Sequence, residues 1–218
     1  MVGVAFGCGF TLAVTDAGVV FSFGSCREGG LGRGSLEIEV LPRKIEALAQ
    51  TGQRFVNVAA GHRHALALTE GGEVYGWGHG EANGHGCEER TPQRVAALIG
   101  QRVKVVGTGS SSSYAVTEKG KLFTWGVLAC GHGYVLDRGV RRTQATPKRE
   151  EALVGARIAA VAMGIWHTLA ADEDGVVWAV GKRQVLGIGG PNPEDEEGGP
   201  VRMPTSIPTL RVRVLLSP

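Results

Sequence analysis

Apolar and polar positions alternate along residues 55–78 in a way that predicts three short strands. Phe55-Val56-Asn57-Val58-Ala59 has a two-residue period and begins a strand. His64-Ala65-Leu66-Ala67-Leu68-Thr69 is a second short apolar strand, and Glu73-Val74-Tyr75-Gly76-Trp77-Gly78 is β-branched and aromatic return-strand material. Between them, Glu70-Gly71-Gly72 is a tight turn, where glycine takes positive φ without a Cβ clash. Residues 64–77 are therefore expected to form a hairpin.

This pattern occurs four times. Each copy is headed by a glycine: Gly7, Gly61, Gly109 or Gly164. Eight residues later stands Thr15, Thr69, Thr117 or Asp172, and three further on the turn glycine, Gly18, Gly72, Gly120 or Gly175. Five more gives Phe23, Trp77, Trp125 or Val180, followed by Gly24, Gly78, Gly126 or Gly181. A repeat near fifty residues signals a solenoid, propeller or array. A glycine-rich loop follows each hairpin (24–34, 78–86, 126–133, 181–189), then a proline: Pro42, Pro92, Pro147 or Pro204. An arginine seven residues before the head glycine opens the next copy at Arg54, Arg102 and Arg157. Arg211 holds the same register. The chain is thus expected to be a single repeat domain over 1–218, with copies at about 1–53, 54–101, 102–156 and 157–210, and 211–218 starting a further strand. No long helix is signalled; only 45–50 and 95–99 suggest short helical segments.

The copies differ most in the stretch between glycine loop and proline, which is longest in copies three and four. Such insertions map to loops on one face of a repeat protein, often the binding face. Copy three is basic there, with Arg138, Arg141, Arg142, Lys148 and Arg149; copy four is acidic, with Glu194, Asp195, Glu196 and Glu197. These are the candidate partner-binding residues.

Composition narrows the function classes. The 35 glycines among 218 residues are about twice the usual share, and the repeat absorbs most of them. A formal net charge of +2 gives no direct indication of nucleic acid or membrane. Cys8, Cys26, Cys87 and Cys130 form no CxxC pair and are expected to be reduced thiols, which favours a cytoplasmic or nuclear setting. The start, MVGVAFGCGF, has no basic n-region, and no apolar run is long enough to span a membrane.

GHRHALALTEGGEVYGWGHG at 61–80 and FGSCREGGLGRG at 23–34 resemble the regulator of chromosome condensation repeat, and the resemblance covers nearly the whole chain. It implies an all-β fold: β-propeller blades of four-stranded antiparallel sheets, about four of them. The family's usual propeller has seven blades, so a partial propeller, or part of a seven-bladed one, is expected, with a closed four-bladed ring as the alternative. The resemblance also implies protein partners. One reading is a non-enzymatic interaction scaffold within a larger assembly. The alternative is a guanine nucleotide exchange factor for a Ran-like small GTPase, whose chemistry needs no acid, base or nucleophile motif. That family member carries a basic N-terminal tail, whereas this sequence opens directly in strand material.

Other candidate chemistry has a structural counterpart. His64 and His167 stand at equivalent strand starts, where a buried imidazole bonded to neighbouring backbone is expected rather than catalysis. His62-Arg63-His64 offers only two zinc ligands. His85-Gly-Cys87 and Cys130-Gly-His132 supply a two-Cys, two-His set, but with one-residue spacing and in loops of different copies. Ser110–Ser113 is expected at a strand entry rather than as a phosphorylation cluster. Gly164-Ile165-Trp166-His167-Thr168 is similar to a motif of light-sensing members of the repeat superfamily, though only Trp166 lies outside the repeat's own Trp position. No cofactor, metal or catalytic residue is expected.

Overall fold

The computed structural model describes residues 3–126, 144–164, 167–181 and 201–211. Blade 1 comprises β1 (Gly3–Phe6), β2 (Phe10–Val14), β3 (Val20–Gly24) and β4 (Glu39–Lys44). Blade 2 comprises β5 (Phe55–Ala60), β6 (His64–Thr69), β7 (Val74–Gly78) and β8 (Glu89–Arg94). Blade 3 comprises β9 (Val103–Thr108), β10 (Ser112–Thr117), β11 (Leu122–Gly126) and β12 (Gln144–Arg149). Blade 4 comprises β13 (Ile158–Met163), β14 (His167–Asp172), β15 (Val176–Gly181) and β16 (Val201–Arg211). Each blade is a four-stranded antiparallel sheet with its strands in chain order. The expected all-β fold and hairpin are present. One-turn helical segments follow the outer strands at α1 (Glu46–Ala49), Ala96–Leu98 and Glu151–Leu153.

The hydrophobic core lies between blades, which explains the Ala-Leu alternation of β6. Side chains alternate faces along a strand. Ala65 and Ala67 face blade 1 with Phe10, Leu12, Val14 and Leu31, while Leu66 and Leu68 face blade 3 with Val103, Val106 and Trp125. Small residues on one face and large ones on the other let successive sheets interlock. All six residues of β6 are buried. Each leucine removed from water contributes about 1.5–3 kcal/mol. A third core joins Val116, Leu122 and Leu153 to Ile158, Ala170 and Val180 of blade 4.

The outer strands are different. β4, β8 and β12 carry Pro42, Pro92 and Pro147 together with charged residues, and β4 and β8 are more exposed than the inner strands. Proline lacks an N–H and is tolerated on an edge strand. The polar, proline-bearing pattern concealed these strands in the sequence.

Each blade is clasped to the next at the turn glycine. The carbonyls of Gly18, Gly72 and Gly120 accept the N–H of Phe55, Val103 and Ile158 at 3.1, 3.2 and 2.9 Å. The arginine preceding each of those residues pairs with the glutamate after the blade's own second strand: Arg54–Glu70 at 2.8 Å, Arg102–Glu118 at 3.6 Å and Arg157–Glu173 at 2.9 Å. The turn itself is locked by Thr69, whose Oγ1 accepts the Glu73 N–H at 3.0 Å; Asp172 does the same for Val176 at 2.9 Å.

Gly72 sits at φ +83°, and a Cβ there would come within 2.9 Å of the Val103 nitrogen of the next blade. Its neighbour Gly71 would meet nothing nearer than Thr69 Oγ1 at 3.8 Å. Gly72→Ala is expected to lose about 1–3 kcal/mol in denaturant unfolding. Gly71→Ala should stay within about 0.5 kcal/mol of the parent.

Candidate functional site: blade junctions, axial hollow and outer rim

The recurring tryptophan is an inter-blade latch. Trp77 of β7 is fully buried, and its Nε1–H donates to the carbonyl of Gly30, in the glycine loop of blade 1, at 2.8 Å. Trp125 of β11 repeats this one blade later, donating to Ala82 in the glycine loop of blade 2 at 2.8 Å. The glycine loop therefore serves as a landing surface for the next blade's indole. Phe23 holds the equivalent position in blade 1 without a donor.

His64 belongs to the same joint. It is 1% exposed, and its Nε2 lies 2.8 Å from Ser113 Oγ on β10 of blade 3. The Ser113 hydroxyl donates to Ala82 O at 2.8 Å, so it accepts from His64, which fixes the Nε2–H tautomer. Ala82 O thus collects both the serine hydroxyl and the Trp125 indole. Burial, reinforced by nearby His79 and opposed by the Ser112 carbonyl, pushes the His64 pKa down to about 3. The imidazole is structural, as expected, but its side-chain partner is a hydroxyl in the next blade. A uniformly neutral, buried ring of this kind is unsuited to proton transfer near neutral pH.

Between blades 3 and 4 the chemistry changes. Tyr114 reaches across to donate to Val161 O at 2.7 Å, over Gly107, where a Cβ would lie 2.3 Å from the phenol oxygen. Burial raises the Tyr114 pKa and keeps the phenol neutral. Ser112 Oγ meets Met163 Sδ at 3.5 Å. Ser112 and Ser113 are both buried in β10, in line with the structural expectation for this serine run.

The four head-glycine turns face one axial hollow of about 330 Å³, lined by Phe6, Cys8, His62, Ser110 and Met163 among others. His62 is exposed while His64 is buried, so the two do not converge on one ligand. His85 Nε2 lies 3.2 Å from Gly76 O, and Cys87 Sγ lies 3.4 Å from Glu89. Cys130 and His132 lie outside the described residues. Among the described residues, no group of three or more His, Cys, Asp or Glu is placed to hold a metal ion. Burial raises the thiol pKa of Cys26, which disfavours its reactive thiolate. Trp178 donates to Asp172 Oδ2 at 3.4 Å; Trp166 lies outside the described residues.

Of the candidate partner residues, Lys148 and Arg149 lie on β12, opposite Thr124 and Phe123. Lys148 is exposed and Arg149 half-buried. Arg138, Arg141, Arg142, Glu194, Asp195, Glu196 and Glu197 lie outside the described residues. The joint roles of Trp77, Trp125, His64 and Ser113 were not legible within one repeat, because each partner lies in a neighbouring blade. The recurrence of the tryptophan at fixed spacing from the glycine loop was the only available signal. Among the described residues, no helix is long and apolar enough to cross a membrane.

The repeat and the fold occur in known proteins. The model of the regulator of chromosome condensation (RCC1) repeat matches residues 17–68 and 119–171, and a second model of that repeat matches 55–87. The Ultraviolet-B receptor UVR8 of Arabidopsis thaliana is 35% identical over 192 residues, covering 85% of this chain and 42% of the receptor. Human WBSCR16 superposes with a TM-score of 0.77 at 23% identity, over 94% of this chain and 52% of that one. Prp20p of Saccharomyces cerevisiae gives 0.55 at 23% identity, over 95% of this chain and 65% of its own. The chain thus spans less than two thirds of each of these proteins, and the two structures establish likeness of fold. By repeat and fold, the chain belongs to the regulator of chromosome condensation (RCC1) repeat family.

Proposed function

We propose that this chain is a non-catalytic protein-interaction scaffold, acting within a larger assembly through the segments where its repeats differ. The observation that carries this is the use of the recurring polar groups as joints. Trp77, Trp125, His64 and Ser113 are buried and bonded between blades. Such a frame is stiff, and rigid sheets presenting unequal loops are the usual arrangement for recognition. The basic set Arg138, Arg141, Arg142, Lys148 and Arg149 suits an acidic partner surface. Glu194, Asp195, Glu196 and Glu197 suit a basic one. Charges of this type set encounter rate and selectivity more than raw affinity.

The test is affinity capture with charge-reversed variants of 138–149 and 194–197, compared with the parent chain by quantitative mass spectrometry. Each reversal is expected to deplete a distinct set of proteins, and recovery of unchanged partners by both would refute the proposal. A second reading is nucleotide exchange on a Ran-like GTPase. It is prompted by the fold shared with Prp20p, whose structure was described together with its binding properties to Gsp1p. Acceleration of nucleotide release from such a GTPase by catalytic amounts of the chain would replace the scaffold reading.

A further inference from the structure

Copy one carries cysteines at two places where the other copies carry none. With the head glycines aligned, His62, Ser110 and Ile165 stand at the place of Cys8. With Gly24, Gly78, Gly126 and Gly181 aligned, Gly80, Leu128 and Arg183 stand at the place of Cys26. Neither thiol is therefore needed to build a blade. Cys8 lies on the head turn that faces the axial hollow and is exposed. His62 holds that place in a blade with neighbours on both sides and is exposed as well, so this access belongs to the repeat. Cys26 lies near the start of the glycine loop and is 4% exposed.

The hairpin register brings the two together. β2 and β3 pair Thr11 with Phe23 and Phe10 with Gly24, and the Ser25 N–H continues the ladder by donating to Gly9 O at 2.7 Å. The next step outward sets Cys8 opposite Cys26. Gly9 and Ser25 are joined by a hydrogen bond, so Cys8 and Cys26 fall in the closer, non-bonded class, about 4.5 Å between Cα atoms in a regular ladder. A disulfide spans about 4.4–6.8 Å between Cα atoms. Burial raises the Cys26 thiol pKa, and the Cys8 thiolate is among the groups that raise it further, which places both sulfurs in one neighbourhood.

A bond between them would act on the blade latch. A Cβ on Gly30 would come within 2.7 Å of Cys26 Sγ, so the thiol sits against the residue whose carbonyl receives the Trp77 indole. We propose that Cys8 and Cys26 form a reversible redox pair that, when oxidised, pins the glycine loop of blade 1 to its axial turn and stiffens the joint to blade 2. The oxidant is a small disulfide such as oxidised glutathione. The exposed Cys8 thiolate attacks one of its sulfurs and releases the first small thiol. Cys26 gives up its proton, attacks Cys8 Sγ in the mixed disulfide and expels the second. Two cysteine thiols and one small disulfide become one protein disulfide and two small thiols, so protons and electrons balance. In a reducing compartment such a pair closes transiently, as a redox sensor does. The proposal is independent of the loop-based scaffold reading.

Treatment of the folded full chain with oxidised glutathione, followed by alkylation and peptide mass spectrometry, tests it. The parent is expected to yield a Cys8–Cys26 cross-link that dithiothreitol reverses. Cys26→Ser should stop at a glutathione adduct on Cys8, Cys8→Ser should leave Cys26 reduced, and Cys87→Ser should cross-link like the parent. Hydrogen exchange in the 24–34 loop is expected to slow at least about tenfold on oxidation of the parent and to stay unchanged in Cys8→Ser. A parent that stops at the Cys8 adduct, or that cross-links only in denaturant or between chains, overturns the proposal. So does a cross-link that leaves exchange in the loop unchanged.

Discussion

Trp77→Ala is expected to cost at least about 3–5 kcal/mol, and with it most of the stability that joins blade 1 to blade 2. The side chain is fully exposed to neighbours and not to water: it packs with Phe10, Leu12 and Leu31 across the junction. Its removal leaves a cavity that two rigid sheets cannot close. It also strips the buried Gly30 carbonyl of the indole donor, a further penalty of about 1–3 kcal/mol. Trp77→Phe separates the two effects, because it keeps most of the volume and loses only the N–H. Trp125→Phe should be milder than Trp77→Phe, since Ala82 O retains the Ser113 hydroxyl when the indole goes. Urea unfolding of the three variants measures this; equal losses for the two phenylalanine variants would contradict the assignment of the joint.

The second large effect is on acid stability. The His64 pKa of about 3 in the folded state lies below its ordinary value of 6.5. Folding therefore favours the neutral ring. Its contribution is fully present above pH 6.5 and is lost progressively as pH falls toward 3, where the unfolded chain binds a proton that the folded chain refuses. The full loss is on the order of 4–5 kcal/mol, at about 1.4 kcal/mol per pH unit within the window. His64→Phe, which copies Phe10 at the same position of blade 1, should flatten that part of the profile. The slope difference between parent and variant over pH 4–6 isolates the histidine from the carboxylates. Parallel profiles would show that the ring is not the acid-sensitive group.

The sequence disclosed the inner part of each blade and concealed the outer part, for one physical reason. Strands buried on both faces, such as His64–Thr69, carry an apolar centre, so their composition announces them. Strands such as Glu39–Lys44 and Glu89–Arg94 touch the sheet along one edge only and tolerate proline and charge, so they resemble loops. The joints were concealed differently. The spacing of Trp77 from Gly72 marks a recurring unit, but the bond from Trp77 to Gly30 spans 47 residues and joins neighbouring blades. Likewise, His64 was legible as a buried ring, while its partner Ser113 read only as part of a serine run. Arg54 was seen as a register mark; its pairing with Glu70 beside the Gly18 clasp required the fold.

The consequence for function is a division of labour along the chain. Residues that recur between copies are occupied in holding blades together. Those that differ, the 138–149 and 194–197 segments, are the ones proposed to meet other molecules. This division stands or falls on whether the recurring tryptophan joins blades rather than stabilising its own hairpin. Native-state hydrogen exchange on the full chain carrying Trp77→Phe is the direct measurement. Faster exchange in the 24–34 loop of blade 1, with the 64–78 hairpin still protected, is the predicted result. Loss of protection confined to the 64–78 hairpin, with the 24–34 loop unchanged, would contradict it.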